Sequence, residues 1–482
     1  MGQSKVGAWV KFVSARTIEA LIASGTIRPG ERLPSVRQTI TARHLSPSTV
    51  FEAYYLLEAR GLVEARPRSG YFVKSRPTLR KEPQAADPAP ESREVVVNDL
   101  VLEVLGAGHG RDMVPLGSAF PNPHLFPVAR LGRSMGAALR EMSPAQLLED
   151  LAPGNTELRR HIALRYRGNG VIASSDEIVI TSGAMEALNL CLQSVTQAGD
   201  AVAIESPAFY GCLQALERLK LRAVEVATHP RDGIQLDSLE AVLKREPVKA
   251  CWFMPNFQNP LGALMPLENK RKLVHLLAQK SIPLIEDDVY GEMYFGVRRP
   301  PPAKSFDKDG WVLHCSSFSK SLAPGYRLGW TAAGRYARTV ERLRLSSTLS
   351  VSVPVQLGIL HYLQDGGYDK HLRMLRATLS AQRDVALHAM AKNFPTGVRI
   401  TQPEGGYFLW VELPPGLNAL VLQRQALSQS ISIAPGQLFS ADQRFSHCIR
   451  LNFGHPSAGQ LEPALKALGR LVHALAKSIR RD

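Results

Sequence analysis

The chain has 482 residues, 45% of them hydrophobic, and a formal net charge of +15 at pH 7. That length fits two to four domains and a large core. No apolar run reaches the roughly 18 residues of a membrane span, and the start, "MGQSKVGAWVKFVSARTIEA", lacks the apolar core of a signal peptide.

The charge is uneven. Residues 1–76 hold 12 Lys/Arg against 5 Asp/Glu, a surplus of +7, which leaves +8 for the other 406 residues. A surplus on so small a segment points to a polyanion, most simply duplex DNA. The five cysteines (Cys191, Cys212, Cys251, Cys315, Cys448) are widely spaced and form no C-x-x-C. This argues against a disulfide framework and against a zinc site, so no metal is expected. Small buried thiols in a reducing cytoplasm are the simpler expectation.

Residues 1–76 read as three helices and a hairpin. The first helix spans about Ala8 to Ser24. "IRPGERLPS" then turns onto Ser35, a good N-cap for the short helix "VRQTITARH". The third helix, "SPSTVFEAYYLLEARG", has Ser46 as N-cap and Pro47 at its first position. Its Val50, Ala53, Tyr54 and Leu57 recur at helical spacing as a buried face. "LVEA", "RPRSG" and "YFV" make strand, turn and strand. This is a winged helix-turn-helix plan. Ser46, Ser48 and Thr49 lie at the end of the third helix that would enter the major groove. Arg37 would hold a phosphate or base, while Arg66 and Arg68, with Gly70 closing the tip, would follow the backbone or minor groove. The competing reading is a small protein-interaction domain with a solvated basic face. The segment resembles the GntR-type DNA-binding domain in "IRPGERLPSVRQ", "LSPSTVFEAYYLLEARGLV" and "RSGYFV". It departs at Pro47, where that family often has an arginine, so base preference does not transfer.

Residues 77–110 read as a linker. Its first part, "RPTLRKEPQAADPAPESRE" at 76–94, has four prolines, many charges and few large apolar residues. A flexible, partly extended connection that does not pack as a core element is expected there.

Residues 111–482 read as α/β, with strands and helices alternating around a mostly parallel sheet. "EIVITSGAMEAL", "DAVAIESPAFYG", "KACWFMPNFQNPLG", "IPLIEDDVYGEMYF" and "WVLHCSSFSKSLAPGYRLGW" each end a strand in polar residues. Ligands of such sheets sit beyond the strands' carboxyl ends. Gly183 allows close backbone approach, and the helix starting at Ala184 and Met185 offers amides to a phosphate. Ser317, Ser319 and Arg327 add hydroxyls and a cation for the same dianion. Asp287 could keep a pyridine nitrogen protonated. Asn259 and Tyr290 could bond a ring phenolate, and Phe209 could stack on the ring. Lys320, set in an apolar run, could form an imine with an aldehyde. Together these describe pyridoxal 5'-phosphate (PLP). Taken singly, each is also explained as a turn, a loop, a solvated strand end or core, and Arg450 as a structural ion pair.

From about Val114 onward the chain resembles fold-type I aminotransferases, in "GSAFPNPHLFP", "PGNTELRRHIALRY", "NFQNPLG", "IEDDVY" and "SFSKSLAPGYRLGW". The resemblance implies that Lys320 carries the cofactor and is the catalytic lysine. It implies that Asp287 meets the pyridine nitrogen, that Asn259 and Tyr290 meet the phenolate, and that Phe209 stacks on the ring. Gly183, Ala184, Met185, Ser317, Ser319 and Arg327 would hold the phosphate. Arg450, with Asn259, would grip a substrate carboxylate. Glu149 stands where homodimeric members often place a tyrosine that reaches the partner's phosphate. The fusion of the two halves resembles the MocR-type subfamily of GntR regulators. It implies a homodimeric regulator that senses PLP or an amino-acid adduct. An active aminotransferase acting on an α-amino acid is the alternative.

Overall fold

The chain divides into two units, Met1–Leu79 and Arg80–Asp482. The computed structural model describes residues 17–22, 24, 26–28, 30–43, 45–59, 62–66, 69–73, 80–88, 91–95, 106, 113–149, 152–442 and 444–479.

In the first unit, α1 covers residues 17–22, α2 Val36–Arg43 and α3 Pro47–Ala59. Gln38 N donates to Ser35 Oγ (3.2 Å) and Ser35 N to Gln38 Oε1 (2.8 Å), so a reciprocal capping box starts α2. Ser46 starts α3 by accepting from Thr49 N (3.2 Å). Val50, Ala53, Tyr54 and Leu57 are buried, as their spacing predicts, with Ile18, Leu33, Leu62, Val63 and Val73. Tyr54 donates to Pro34 O (2.7 Å) and meets Thr39 Oγ1 (2.8 Å), which fixes α3 against α2. The wing is β1 (Val63–Arg66) antiparallel to β2 (Gly70–Val73), with Arg66 opposite Gly70. Residues 8–16 of the expected first helix, and Arg68, lie outside the described residues.

In the second unit the large sheet holds β3 (Arg93–Glu94), then β5 (Ile178–Thr181), β6 (Ala201–Ser206), β7 (Arg222–His229) and β8 (Gly233–Ile234), after the short β4 (Val114–Pro115) of a separate pair. It continues with β9 (Val248–Phe253), β10 (Leu284–Asp287), β11 (Val312–Ser317) and β12 (Gly329–Ala332). The order is β3-β7-β6-β9-β10-β11-β12-β5, with β8 on β7. Strands β7, β6, β9, β10 and β11 run parallel, while β12 is antiparallel to both neighbours. Every residue of β6, β10 and β11 is buried, as a sheet covered on both faces requires. A second sheet of β13 (Arg399–Ile400), β14 (Phe408–Glu412), β16 (Ala434–Pro435) and β17 (Cys448–Asn452) shares an apolar cluster with the helix Ala458–Ile479; β15 (Ile431–Ser432) pairs with β4.

Residues 80–88 and 91–95 differ from the expected flexible connection. They form a strap held to their own unit. The Arg80 guanidinium donates to Ala391 O (2.9 Å), Phe394 O (2.6 Å) and Pro395 O, where α-helix Gly367–Asn393 ends. Those carbonyls have no partner within the helix. Ile400 N donates to Lys81 O (3.0 Å), Arg231 pairs with Glu82 (2.6 Å), and Arg93 with Asp442 (2.6 Å). β3 adds to the sheet edge beside β7. Ionic and backbone contacts hold the strap, with Val95 buried in one apolar cluster of the core and Ala86 packed against another.

Candidate functional site

The strand topology gathers the polar residues at one edge. Thr181, Ser206, Phe253, Asp287 and Ser317 are the last residues of β5, β6, β9, β10 and β11. Because β12 is antiparallel, its beginning at Gly329 lies at the same edge, and Arg327 precedes it. Arg327 is therefore returned to the turn after β5. It donates to Ser182 O (3.2 Å) and to Ser319 Oγ (3.1 Å). Gly183 has φ +92°, and a Cβ there would collide with the Arg327 guanidinium. This glycine makes room for a cation in front of the helix Ala184–Val195, whose first amides face the same place. The arrangement suits a phosphate.

Asp287 and Lys320 carry matched perturbations. Burial, with Asp288 and Glu286 nearby, lifts the Asp287 carboxyl to about 7 against the opposing pull of Val289 N–H and Lys320. Burial, then the Arg450 and Arg327 charges, lowers the Lys320 amine to about 7 against the pull of Asp287. Asp287 Oδ1 and Asn259 Nδ2 are buried with no hydrogen-bond partner. Asp287 acts on Lys320 directly and Asn259 bonds Arg450, which also acts on Lys320, so these two unpartnered atoms suit a bound ligand. A ring with a protonated nitrogen and a phenolate oxygen satisfies an acceptor and a donor of this kind, so these residues fit PLP.

Arg450 is buried on β17. It donates to Asn259 Oδ1 (3.1 Å), Gly117 O (2.8 Å) and Ser118 O (3.2 Å), and lies 4.3 Å from the centroid of the Phe408 ring. Among the described residues no carboxylate pairs with it, which speaks against the structural ion-pair reading. Tyr290 is buried edge-on to Tyr407, with ring centroids 5.4 Å apart, and burial raises its hydroxyl. Phe209 and Met185 lie together, since a Cβ on Gly211 would meet both.

The sequence reading missed the partner of Lys320. Its Nζ donates to Ala119 O (2.9 Å) and sits 3.5 Å from the centroid of the Phe120 ring. Ala119 O also accepts from Tyr407 (3.1 Å), while Asn452 and His455 hold Phe120 O (2.7 and 2.9 Å). A backbone carbonyl leaves no signature in sequence. Glu149 ends the helix Gln146–Glu149, and its side chain lies outside the described ones.

On the first unit, Arg37 and Ser48 are exposed and Thr49 partly so. The Ser46 hydroxyl is spent on the cap, contacting Ser48 Oγ (3.0 Å) and Thr49 Oγ1 (2.7 Å). Arg66 pairs with Glu64 (2.7 Å) and covers the Phe72 ring. Gly70 has φ +97° and closes the wing where a Cβ would crowd Arg32.

Two families match along the chain: bacterial regulatory proteins of the gntR family at residues 14–73, and aminotransferase class I and II at residues 150–468. The uncharacterised HTH-type transcriptional regulator YdcR of Escherichia coli K12 is 48% identical over 459 residues, 95% of this chain and 98% of that one. The chain belongs to the GntR-type regulators of MocR-like architecture. The regulator's second unit is also similar to the aromatic-amino-acid aminotransferase 1 of Thermococcus litoralis, 30% identical over 77% of this chain and 91% of that one. Among solved structures it matches LysN, the α-aminoadipate aminotransferase of Thermus thermophilus complexed with N-(5'-phosphopyridoxyl)-L-leucine. The TM-score is 0.72 and the identity 29%, over 78% of this chain and 95% of that one. The regulator thus combines a DNA-binding domain with a domain of a PLP-dependent class. No described helix is long and apolar enough to cross a membrane.

Proposed function

We propose that this regulator controls transcription as a homodimer that senses PLP, or PLP joined to an amino acid, through its second unit. The observation that carries the reading is the convergence of Lys320 with the orphaned atoms of Asp287 and Asn259, on a chain with a helix-turn-helix unit. PLP bound there supplies an electron-accepting ring that stabilises negative charge on an attached amino acid. In this reading Lys320 Nζ holds the aldehyde carbon and can carry a proton. Asp287 keeps the ring nitrogen protonated, and Asn259 and Tyr290 hold the phenolate oxygen. Gly183, Ala184, Met185, Ser317, Ser319 and Arg327 hold the phosphate, and Phe209 covers the ring. Arg450 takes the carboxylate of the amino acid, exchanging its bonds to Gly117 O and Ser118 O. The first unit binds duplex DNA through Arg37, the start of α3, and the wing. All five cysteines are free and buried, which suits a reducing cytoplasm.

The same residues would serve an active aminotransferase, and the likeness to the T. litoralis enzyme favours testing for one. The deciding experiment measures binding of the full chain to DNA upstream of its own gene, with and without PLP and a panel of amino acids. Ligand-dependent DNA affinity supports the regulator. Turnover of an amino acid without any effect on DNA supports the enzyme.

A further inference from the structure

The buried residues of α3 account for one side of the helix; the opposite side carries two large aromatic residues in solvent. Phe51 is 54% exposed and Tyr55 71% exposed. At 100° per residue, Ser48, Phe51, Glu52 and Tyr55 fall within one narrow arc facing away from Val50, Ala53, Tyr54 and Leu57. A single exposed apolar side chain is ordinary, but two aromatic rings four residues apart on one helix face are neighbours and make a patch that suits a partner.

Charge complementarity names the cover. Residues 1–76 carry a surplus of +7, and Arg28, Arg32 and Arg37 are exposed on this unit. Such a surface suits a polyanion. Phe51 is the fifth residue of α3, close to the end that enters a major groove in helix-turn-helix proteins. In that groove adenine, guanine and cytosine present only donors and acceptors, whereas thymine adds an apolar C5-methyl group. A phenyl ring gains at the methyl and loses at a base edge whose hydrogen bonds it strips without replacing. Glu52, on the same arc, can accept from cytosine N4 but not from a phosphate.

We propose that the exposed face of α3 reads thymine through contact of the Phe51 ring with the C5-methyl group in the major groove. This rests on the DNA-binding reading of the first unit and adds the base it selects.

The test starts from a duplex enriched from a randomised pool by the full-length protein. Each thymine is then replaced singly by deoxyuridine, which removes the methyl and leaves every hydrogen-bonding group. At one thymine per half-site the wild-type protein should lose about fourfold in affinity, the worth of one buried methyl-sized group. Phe51→Ala should bind the thymine and uracil duplexes equally, and Phe51→Leu should retain the preference. If the wild type is indifferent to uracil at every position, or if Phe51→Ala still discriminates, the thymine contact is wrong while DNA binding stands, and the face serves another partner. If the pool yields no enriched duplex, the DNA-binding reading fails and this inference falls with it.

Discussion

Asp287 and Asp288 are adjacent on one chain and opposite in chemistry. Asp287 Oδ1 has no hydrogen-bond partner, whereas Asp288 accepts from Asn256 (2.9 Å), Arg299 (2.6 Å) and His314 (3.1 Å). Asp287 is the last residue of β10 and Asp288 the first beyond it, and the two carboxyls have separate surroundings. Burial raises Asp287, while for Asp288 the Arg299 charge and the hydrogen bond with His314 outweigh burial and hold the carboxyl well below the usual range. Asp288→Asn removes the nearer of two carboxylates at the buried Arg299, leaving Glu292 at 3.4 Å, and should cost up to about 3–5 kcal/mol of stability. Asp287→Asn should weaken PLP binding sharply with little loss of fold. Chemical denaturation and PLP titration of both variants check this, and the reverse pattern would place the wrong aspartate at the cofactor.

The pH dependence of the cofactor-free protein follows from the same pair. Asp287 has a folded value of about 7, above its unfolded value. The fold therefore favours its protonated form, and stability from this group is present in acid and is lost as pH rises from about 4 to 7. Asp288 has the opposite sign: its contribution is present above about 4 and is lost as pH falls further. Asp287→Asn should thus gain stability relative to wild type progressively between pH 4 and 7. Unfolding curves for the two proteins at several pH values test it. A difference that does not change with pH would remove Asp287 from the buried, unpaired position.

Lys320 must be neutral to attack an aldehyde, and its amine lies near 7. The rate of PLP capture should therefore rise through pH 7 and level off above it, some three units below an ordinary lysine. Arg450 is one of the charges that lower Lys320, so Arg450→Met should shift this rise to higher pH. Stopped-flow absorbance of PLP capture against pH measures both. Lys320→Ala should abolish the covalent band while leaving circular dichroism unchanged. A borohydride-trapped adduct on another lysine would overturn the assignment.

Much of this site was legible because its residues sit at strand ends within short motifs, where identity and position carry the chemistry together. Asp287 could be preferred over Asp288 from the spacing to Tyr290. The strap was not legible. Arg93 meets Asp442 some 350 positions away, and Arg80 meets helix-end carbonyls, so no periodicity or local motif records either contact. A proline-rich polar stretch looks the same in sequence whether single charged residues tie it down or leave it free. The spacing of Val50, Ala53, Tyr54 and Leu57 already puts Phe51 on the other side of α3, but its 54% exposure is seen only in the structure.

Arg80 gives the strap a separate test. Its guanidinium is bonded to three or more carbonyls at the end of the helix Gly367–Asn393. Replacing it by alanine removes charged hydrogen bonds worth roughly 1.5–3 kcal/mol. Arg80→Ala should lower the melting temperature of the second unit and expose residues 80–95 to limited proteolysis, with PLP affinity retained. Unchanged protease resistance would mean that the strap is held without Arg80.

The strap also meets the segment that supports the loop bearing Phe209. Ala208 N, next to Phe209, donates to Phe439 O (2.8 Å). Just beyond Phe439, Ser440 and Arg444 bond Glu225 (3.4 and 2.6 Å), Arg444 also pairs with Asp442 (2.8 Å), and Asp442 pairs with Arg93 of the strap (2.6 Å). A ligand acts through such a chain only if it binds two arrangements of it with different affinity. Coupling of this kind is typically about 1–3 kcal/mol, roughly 5–150-fold. It must be reciprocal, so saturating operator DNA should change the affinity for PLP or its amino-acid adduct by the factor by which that ligand changes DNA affinity. The Arg93–Asp442 pair is partly exposed and worth less than about 1 kcal/mol of stability. Asp442→Ala should therefore leave folding and PLP binding intact while reducing the coupling. Paired titrations, PLP with and without DNA and DNA with and without PLP, read all three quantities. Equal coupling in wild type and Asp442→Ala would take the strap out of the route. No coupling in either protein, with every amino acid in the panel, would leave the second unit as an enzyme or a dimerising scaffold rather than a sensor.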